Sequence, residues 1–304
     1  MEASQATKPV VLPHPAESSG ARRLISDYVE LTKPKVQSLL LLTTVCTMEI
    51  AGDPSVALIA VTLLGGYLSA GGAGAVNHYF DRDIDALMPR TANRPVPSGR
   101  VSPRAALVFG IVLATLSFVL LSTAVNVLAA SLALTGFLGY VFVYTVWLKR
   151  RTPQNIVIGG AAGAMPPLVG WAAVTGGLTG MPIYLFAIVF LWTPPHFWAL
   201  SLLMKDEYAR VGVPMLPVVR GEDETRRQIL LYTVLVWAVT QLPFCAGGLG
   251  TLYMVASIVL GAMFIGGAVV LHRRADRRSA LRLYLFSLAY LALLFGAMVL
   301  DAKL

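Results

Sequence analysis

An all-α, polytopic membrane fold follows from three features of the chain. It is 56% hydrophobic and 13% charged, where an average soluble domain carries roughly 25% charged residues. Its apolar residues gather into nine runs, each near the roughly 20 residues that cross a hydrocarbon core. Its Lys and Arg fall almost wholly in segments that nine crossings place on one side. The runs are continuous rather than alternating, which argues against a transmembrane barrel.

Taken in order, residues 1–25 are rich in Pro, Ser and Ala without an apolar core, which predicts a disordered cytoplasmic tail ahead of one membrane domain, 26–304. Spans are expected at 36–54, 56–77, 105–123, 125–148, 155–175, 182–204, 228–248, 251–271 and 283–300. Glu49 interrupts the first. Pro166 and Pro167, after Gly159, Gly160 and Gly163, are expected to interrupt the fifth. Nine crossings keep the amino terminus and the segments 82–104, 149–151, 205–227 and 273–282 together, and leave only Lys303 opposite. The chain is therefore expected in the cytoplasmic (inner) membrane, amino terminus inside and carboxyl terminus on the opposite side. The net charge of +8 is a topology signal. Divided among five segments beside the lipid bilayer, it argues against a nucleic-acid partner. Cys46 and Cys245 lie in apolar runs without CxxC spacing, which argues against a zinc site, a redox motif or a disulfide.

Two of the loops, 78–104 and 205–227, are long, and long loops in a compact protein are often functional. They hold Asp81, Asp83, Asp85, Asp206, Glu207, Glu222, Asp223 and Glu224, half of the 16 acids in the chain. If the second span continues as a helix through "NHYFDRDID", Asn77, Asp81 and Asp85 recur every four residues on one face, about 6 Å apart. Asp83 points elsewhere. Oxygen ligands at that spacing suit Mg²⁺ bridging to phosphates, although a solvated helix end paired with Arg82, Arg90 or Arg94 explains three isolated acids equally well. The second acidic cluster favours a metal and diphosphate site. Arg90 and Arg94, held among prolines in "MPRTANRPVPSGR", suit anionic oxygens, and Lys149 at the end of the fourth span is placed either for diphosphate or for topology anchoring. His196 precedes Asp206 by ten residues, about 15 Å deeper on a continuous helix. An ionisable ring at that depth reads either as a functional group or as a hydrogen-bonded structural histidine.

The pattern resembles the UbiA superfamily of intramembrane prenyltransferases, whose signature NxxxDxxxD falls here on Asn77, Asp81 and Asp85. Its protoheme IX farnesyltransferase branch is the closer likeness, through "LTKPKVQSLLLLTT", "NHYFDRDIDALMPRTANRPVPSGR", "YTVWLKRRTPQNIVIGGAAGAMPPLVGW", "HFWALSLLMKDEY" and "GVPMLPVV". The resemblance implies nine helices around a central cavity, and transfer of farnesyl from farnesyl diphosphate to a vinyl group of heme b, with water added, giving heme O and diphosphate. It implies Mg²⁺ as cofactor, with Asn77, Asp81, Asp85 and Asp206 catalytic and Glu207 an alternative metal ligand. Arg90, Arg94, Lys149, His196 and Tyr208 would bind substrate, and heme-handling or terminal oxidase assembly proteins would be further partners. Where other branches carry a second DxxxD, this chain has Asp206 followed by Arg210, which leaves a second metal's ligands open. The competing readings are a prenyltransferase of a quinone precursor or chlorin, and an ion-coupled secondary transporter, whose sites usually lie at the bilayer midplane.

Overall fold

The computed structural model describes residues 20–304, and every regular element among them is helical. Most of the expected tail lies outside the described residues, but its last positions begin a helix, α1 (Gly20–Leu31). The Pro- and Ser-rich stretch ends at Ser19. Beyond it, Leu24, Ile25, Tyr28 and Val29 line an apolar groove of about 380 Å³ with Tyr67, Phe109 and Leu113. On the polar side Asp27 accepts from Arg100 Nε at 2.8 Å.

The chain continues through α2 (Pro34–Ala51), α3 (Val56–Phe80), a short α4 (Arg82–Leu87), α5 (Pro103–Ala124) and α6 (Val127–Leu138). α6 runs on as a π-helix over Gly139–Leu148. Next come α7 (Asn155–Gly163) and α8 (Met165–Thr175), end to end in one span, then α9 (Gly180–Leu203), and the short α10 (Lys205–Arg210) and α11 (Leu216–Val219). The last elements are α12 (Gly221–Val239), α13 (Leu242–Cys245), α14 (Thr251–Arg274) and α15 (Arg277–Ala302). Eight of the resulting segments are long and apolar enough to cross a membrane. The ninth, α2, carries Glu49 and packs among them against α3, α8 and α15.

Local chemistry sets the boundaries. Ser55, Ser102, Asn126 and Asp276 accept from the backbone N–H three residues on, the N-cap geometry that satisfies an otherwise free helix donor. Pro166 and Pro167 open α8 after the break at Ala164, where a missing N–H is harmless. Glycine then lets helices touch. A Cβ at Gly110 would sit 2.7 Å from the Gly72 carbonyl oxygen, and one at Gly72 would sit 2.7 Å from that of Gly110, so α3 and α5 cross at backbone contact.

The two ends of the bundle differ. At one, Lys303 reaches Glu49 at 3.2 Å, the Gly52 carbonyl at 2.8 Å and Asp53, which answers the charge that made the first span doubtful. At the other, Arg277 donates to the Leu203 carbonyl, and Ile84, Ile156, Val213 and Met215 form a small core with Tyr144 and Tyr208. The two long loops therefore meet there. The first is turns over 88–102, whereas the second is largely helical, and α12 begins at Gly221, before the expected 228, because Glu222, Asp223 and Glu224 occupy its first turn, where the helix dipole favours negative charge.

Gly110→Ala should cost about 1–3 kcal/mol, because backbone rather than a movable side chain blocks the new methyl. Gly66→Ala meets only Leu41 at 3.7 Å, and should stay within about 0.5 kcal/mol. Thermal unfolding of both variants in one detergent measures the difference.

Candidate functional site

α3 ends at Phe80, and Asp81 takes up the change of direction with φ −91° and ψ 3°. The hydrogen-bond ladder nevertheless runs through it. Asp81 N–H donates to the Asn77 carbonyl at 2.9 Å, and Asp85 N–H to the Asp81 carbonyl at 2.8 Å. Asn77, Asp81 and Asp85 thus stay on one stripe, exposed by only 3%, 1% and 3%. Asp83 turns outward with 61% of its side chain exposed.

Each buried member of the stripe is met by a cation from a different element. Lys149 Nζ donates to Asp81 Oδ2. Arg94 Nη1 donates to Asp85 Oδ2 at 2.8 Å. Lys33 Nζ donates to Asn77 Oδ1 at 2.6 Å, while the Asn77 amide donates to Asp81 Oδ2 at 2.7 Å and Thr145 Oγ1 at 3.1 Å. Outside, Arg150 grips Asp83 through two bonds of 2.6 Å and holds that carboxyl down to about 2. The π-helix delivers two of these contacts, since its wider turn presents Thr145 to Asn77 and ends at Lys149, whose N–H returns to the Tyr144 carbonyl. π turns occur frequently at functional sites.

Lys33 and Thr145 are the members that sequence reasoning missed. Lys33 joins α1 to α2 in the left-handed region, φ 54°, ψ 56°, a conformation that costs a non-glycine residue roughly 1–2 kcal/mol. Burial, with Arg94 and Lys149 nearby, pushes its ammonium down to about 7. Lysine before proline in "LTKPK" reads as an ordinary basic anchor, so no signal pointed to it.

The other expected residues are more dispersed. Arg90 is exposed on the loop, and Arg100 anchors α1 through Asp27 and Glu30. Asp206 is exposed on α10; beside it Glu207 Oε2 is buried without a partner, and Tyr208 packs against the Ile84 cluster. The other acids of the second cluster are paired locally: Glu222 with Lys205 and Arg226, Asp223 with Arg226, and Glu224 with Arg227. Among the described residues no three His, Cys, Asp or Glu side chains gather to hold a metal ion. His78 is buried, with neither ring nitrogen hydrogen-bonded.

His196 is stacked between Trp192, 4.4 Å between ring centres, and Tyr284, 4.9 Å. Its Nδ1 lies 2.7 Å from Ser287 Oγ, whose own proton goes to the Tyr284 carbonyl at 2.6 Å. That bond makes Nδ1 the donor and leaves the lone pair on Nε2, the tautomer a metal-ligating imidazole needs. The helix between His196 and Asp206 is not continuous, since Met204 separates α9 from α10.

A sequence model of the UbiA prenyltransferase family matches residues 39–294. The chain belongs to that family. The protoheme IX farnesyltransferase of Chloroflexus aurantiacus is 55% identical over 282 residues, covering 92% of this chain and 48% of that protein. The one from Symbiobacterium thermophilum is 52% identical over 283 residues, covering 92% and 95%. The chain thus spans about half the length of the first relative and nearly all of the second. Among solved structures, a digeranylgeranylglyceryl phosphate synthase superposes with a TM-score of 0.77 at 20% identity, over 93% of this chain and 100% of that one. A UbiA homolog from Archaeoglobus fulgidus bound to DMAPP and Mg²⁺ superposes with a TM-score of 0.67 at 16% identity, over 90% and 99%. At these identities the likeness is one of fold.

A magnesium ion fits the UbiA stripe on the chemistry of its donors. Asn77, Asp81 and Asp85 offer oxygen alone, and Asp81 Oδ1 is buried without a hydrogen bond, faced by Arg150 Nη2 at 3.7 Å. Cations around the stripe leave room in the charge balance for phosphate. The pairs differ in their burial and therefore in their worth. Lys149→Met strands the Asp81 charge and should cost about 3 kcal/mol of stability. Arg150→Gln, breaking an exposed pair with Asp83, should cost under about 1 kcal/mol. Parallel unfolding curves in detergent test the contrast.

Proposed function

We propose that this chain transfers farnesyl from farnesyl diphosphate to a vinyl group of heme b, with addition of water, releasing diphosphate and forming heme O. The observation that carries the reading is the buried Asn77–Asp81–Asp85 stripe at one mouth of an apolar bundle, ringed by Lys33, Arg94 and Lys149. Acids at a mouth suit a membrane-bound substrate with a polar head better than a transporter's midplane site. The names of the relatives from Chloroflexus and Symbiobacterium support heme b as the acceptor. The prenyl diphosphate and Mg²⁺ named with the Archaeoglobus structure support the donor and the metal.

Asn77, Asp81 and Asp85 would hold the ion, with Asp206 and Glu207 on α10 as the remaining oxygen donors at this end. Bound Mg²⁺ supplies neutralisation of the charge that gathers on a departing diphosphate. The C1–O bond of the donor breaks with its electron pair passing to diphosphate. Arg94 and Lys149 stabilise that charge by hydrogen bonds already aimed into the site, and exposed Arg90 extends the cationic rim. Apolar helix faces keep water from the allylic centre. The vinyl group of heme supplies the pair for the new C–C bond. Water then adds to the carbon left electron-deficient and loses a proton. His196, with its lone pair on Nε2, holds the heme iron, while Tyr208 packs beside the mouth. We place the protein in the cytoplasmic membrane with this mouth inside, and its product among heme-handling and terminal oxidase assembly proteins.

Purified protein given Mg²⁺, farnesyl diphosphate and heme b should yield a product whose mass is that of hydroxyethylfarnesyl heme. A prenylated quinone precursor or chlorin in place of it, or no product, would replace the reading. Within that assay Asp81→Asn and Asp85→Asn should lower turnover at least about 100-fold, as loss of a charge-stabilising group does, and Asp83→Asn less than about 5-fold. Equal losses at all three positions would contradict the stripe.

His196→Ala should weaken heme binding followed by absorbance and leave the affinity for a non-hydrolysable farnesyl diphosphate analogue unchanged. Unaltered heme affinity would make His196 a structural residue of the α9–α15 contact. An impermeant thiol reagent added outside intact cells should miss cysteines placed in either long loop.

A further inference from the structure

We propose that Lys33 is a diphosphate-binding residue, whose ammonium is delivered into the Asn77–Asp81–Asp85 site by a strained turn kept for that purpose; the inference rests on the prenyl-transfer reading above. Among the described residues only Lys33 and Ala275 adopt positive φ without being glycine. Strain of this kind persists where surrounding structure over-determines it, and it gathers at functional sites. Glycine or asparagine would relax the turn, so the side chain is what the strain retains.

The surroundings hold the turn firmly. Thr32 Oγ1 donates to the Val29 carbonyl at 2.7 Å and lies 2.8 Å from the Tyr67 hydroxyl. Gln37 Nε2 donates to the Thr32 carbonyl. On α3, a Cβ at Gly71 would lie 3.0 Å from Thr32 Cβ, and one at Gly74 would lie 3.0 Å from the Leu31 carbonyl. Bare glycine backbone one and two turns before Asn77 is therefore what admits the turn so close to the site.

Charge identifies the ligand. Lys149 has Asp81, Arg94 has Asp85 and Arg150 has Asp83, but the partner of Lys33 is a neutral amide oxygen. With Lys33 protonated these groups leave one positive charge in excess, and a bound divalent cation would add two. A polyanion with several oxygens balances that sum and offers acceptors to Lys33, Lys149 and Arg94, which all contact the one stripe, and the head of a prenyl diphosphate has that chemistry.

The test uses Lys33→Gly and Lys33→Asn, with Ala275→Gly as a control that removes the other strained position, at the α14–α15 turn, a residue with no proposed contact to substrate or metal. Each is titrated in detergent with Mg²⁺ and inorganic diphosphate, and again with Mg²⁺ and farnesyl S-thiolodiphosphate, alongside thermal unfolding. All three variants should melt at or above the parent temperature. Both Lys33 variants should bind the two probes at least 10-fold more weakly, by a similar factor because the head alone is lost, and Ala275→Gly should bind as the parent does. Parental affinity in Lys33→Gly would overturn the proposal and leave the transferase reading intact. A fall in melting temperature of both Lys33 variants would also overturn it, making Lys33 a structural anchor. A parent protein that binds neither probe would remove the transferase reading and the proposal with it.

Discussion

Two carboxylates and an amide buried at the edge of a membrane bundle are the constraint on which the rest of this structure is arranged. An ionised carboxyl taken from water is tolerated only when it is paired and hydrogen-bonded. Asp81 and Asp85 sit one helical turn apart on one backbone, so each also raises the cost of the other. No single neighbouring element supplies enough compensation. It comes from the end of the π-helix, from the loop after α4 and from the α1–α2 turn. The fold closes around the site because each of those elements is held there by its own contact with the stripe.

The same requirement accounts for features that look unrelated. Glycines at 71 and 74 bring the α1–α2 turn against α3, and Gly72 with Gly110 brings α5 in behind it. The π-helix sets Thr145 where it can orient the Asn77 amide, by passing its own proton to the Tyr140 carbonyl at 2.9 Å. Orientation matters because an amide presents oxygen on one side and donors on the other. With Asp81 and Thr145 both taking its N–H groups, Asn77 must turn its oxygen toward Lys33.

Much of this was legible in the sequence, for reasons that can be named. Spans are read from continuous apolar runs, and those predicted at 56–77 and 155–175 recur as Val56–Phe80 and Asn155–Thr175. The inward turn of Asp81 and Asp85 and the outward turn of Asp83 follow from 100° per residue. What escaped depends on backbone states that no periodicity announces. Lys33 enters the site through a left-handed φ, and Thr145 through a turn wider than an α-helix. Of the second acidic group, Glu222, Asp223 and Glu224 have a local reason for their place, in the first turn of α12. α1 was hidden by the composition of the residues before it.

The clasp between Lys303 and Glu49 bears on how the protein is made. α2 leaves the ribosome before the helices it packs against, and it carries an acid that lipid receives poorly. The lysine that answers it, Lys303, lies 250 positions beyond Asp53 in the sequence. Throughout synthesis α2 must wait with its charge unanswered, sheltered by the insertion machinery or by headgroup water. Its final seating among α3, α8 and α15 waits for α15 to be made, so a helix translated early is locked late.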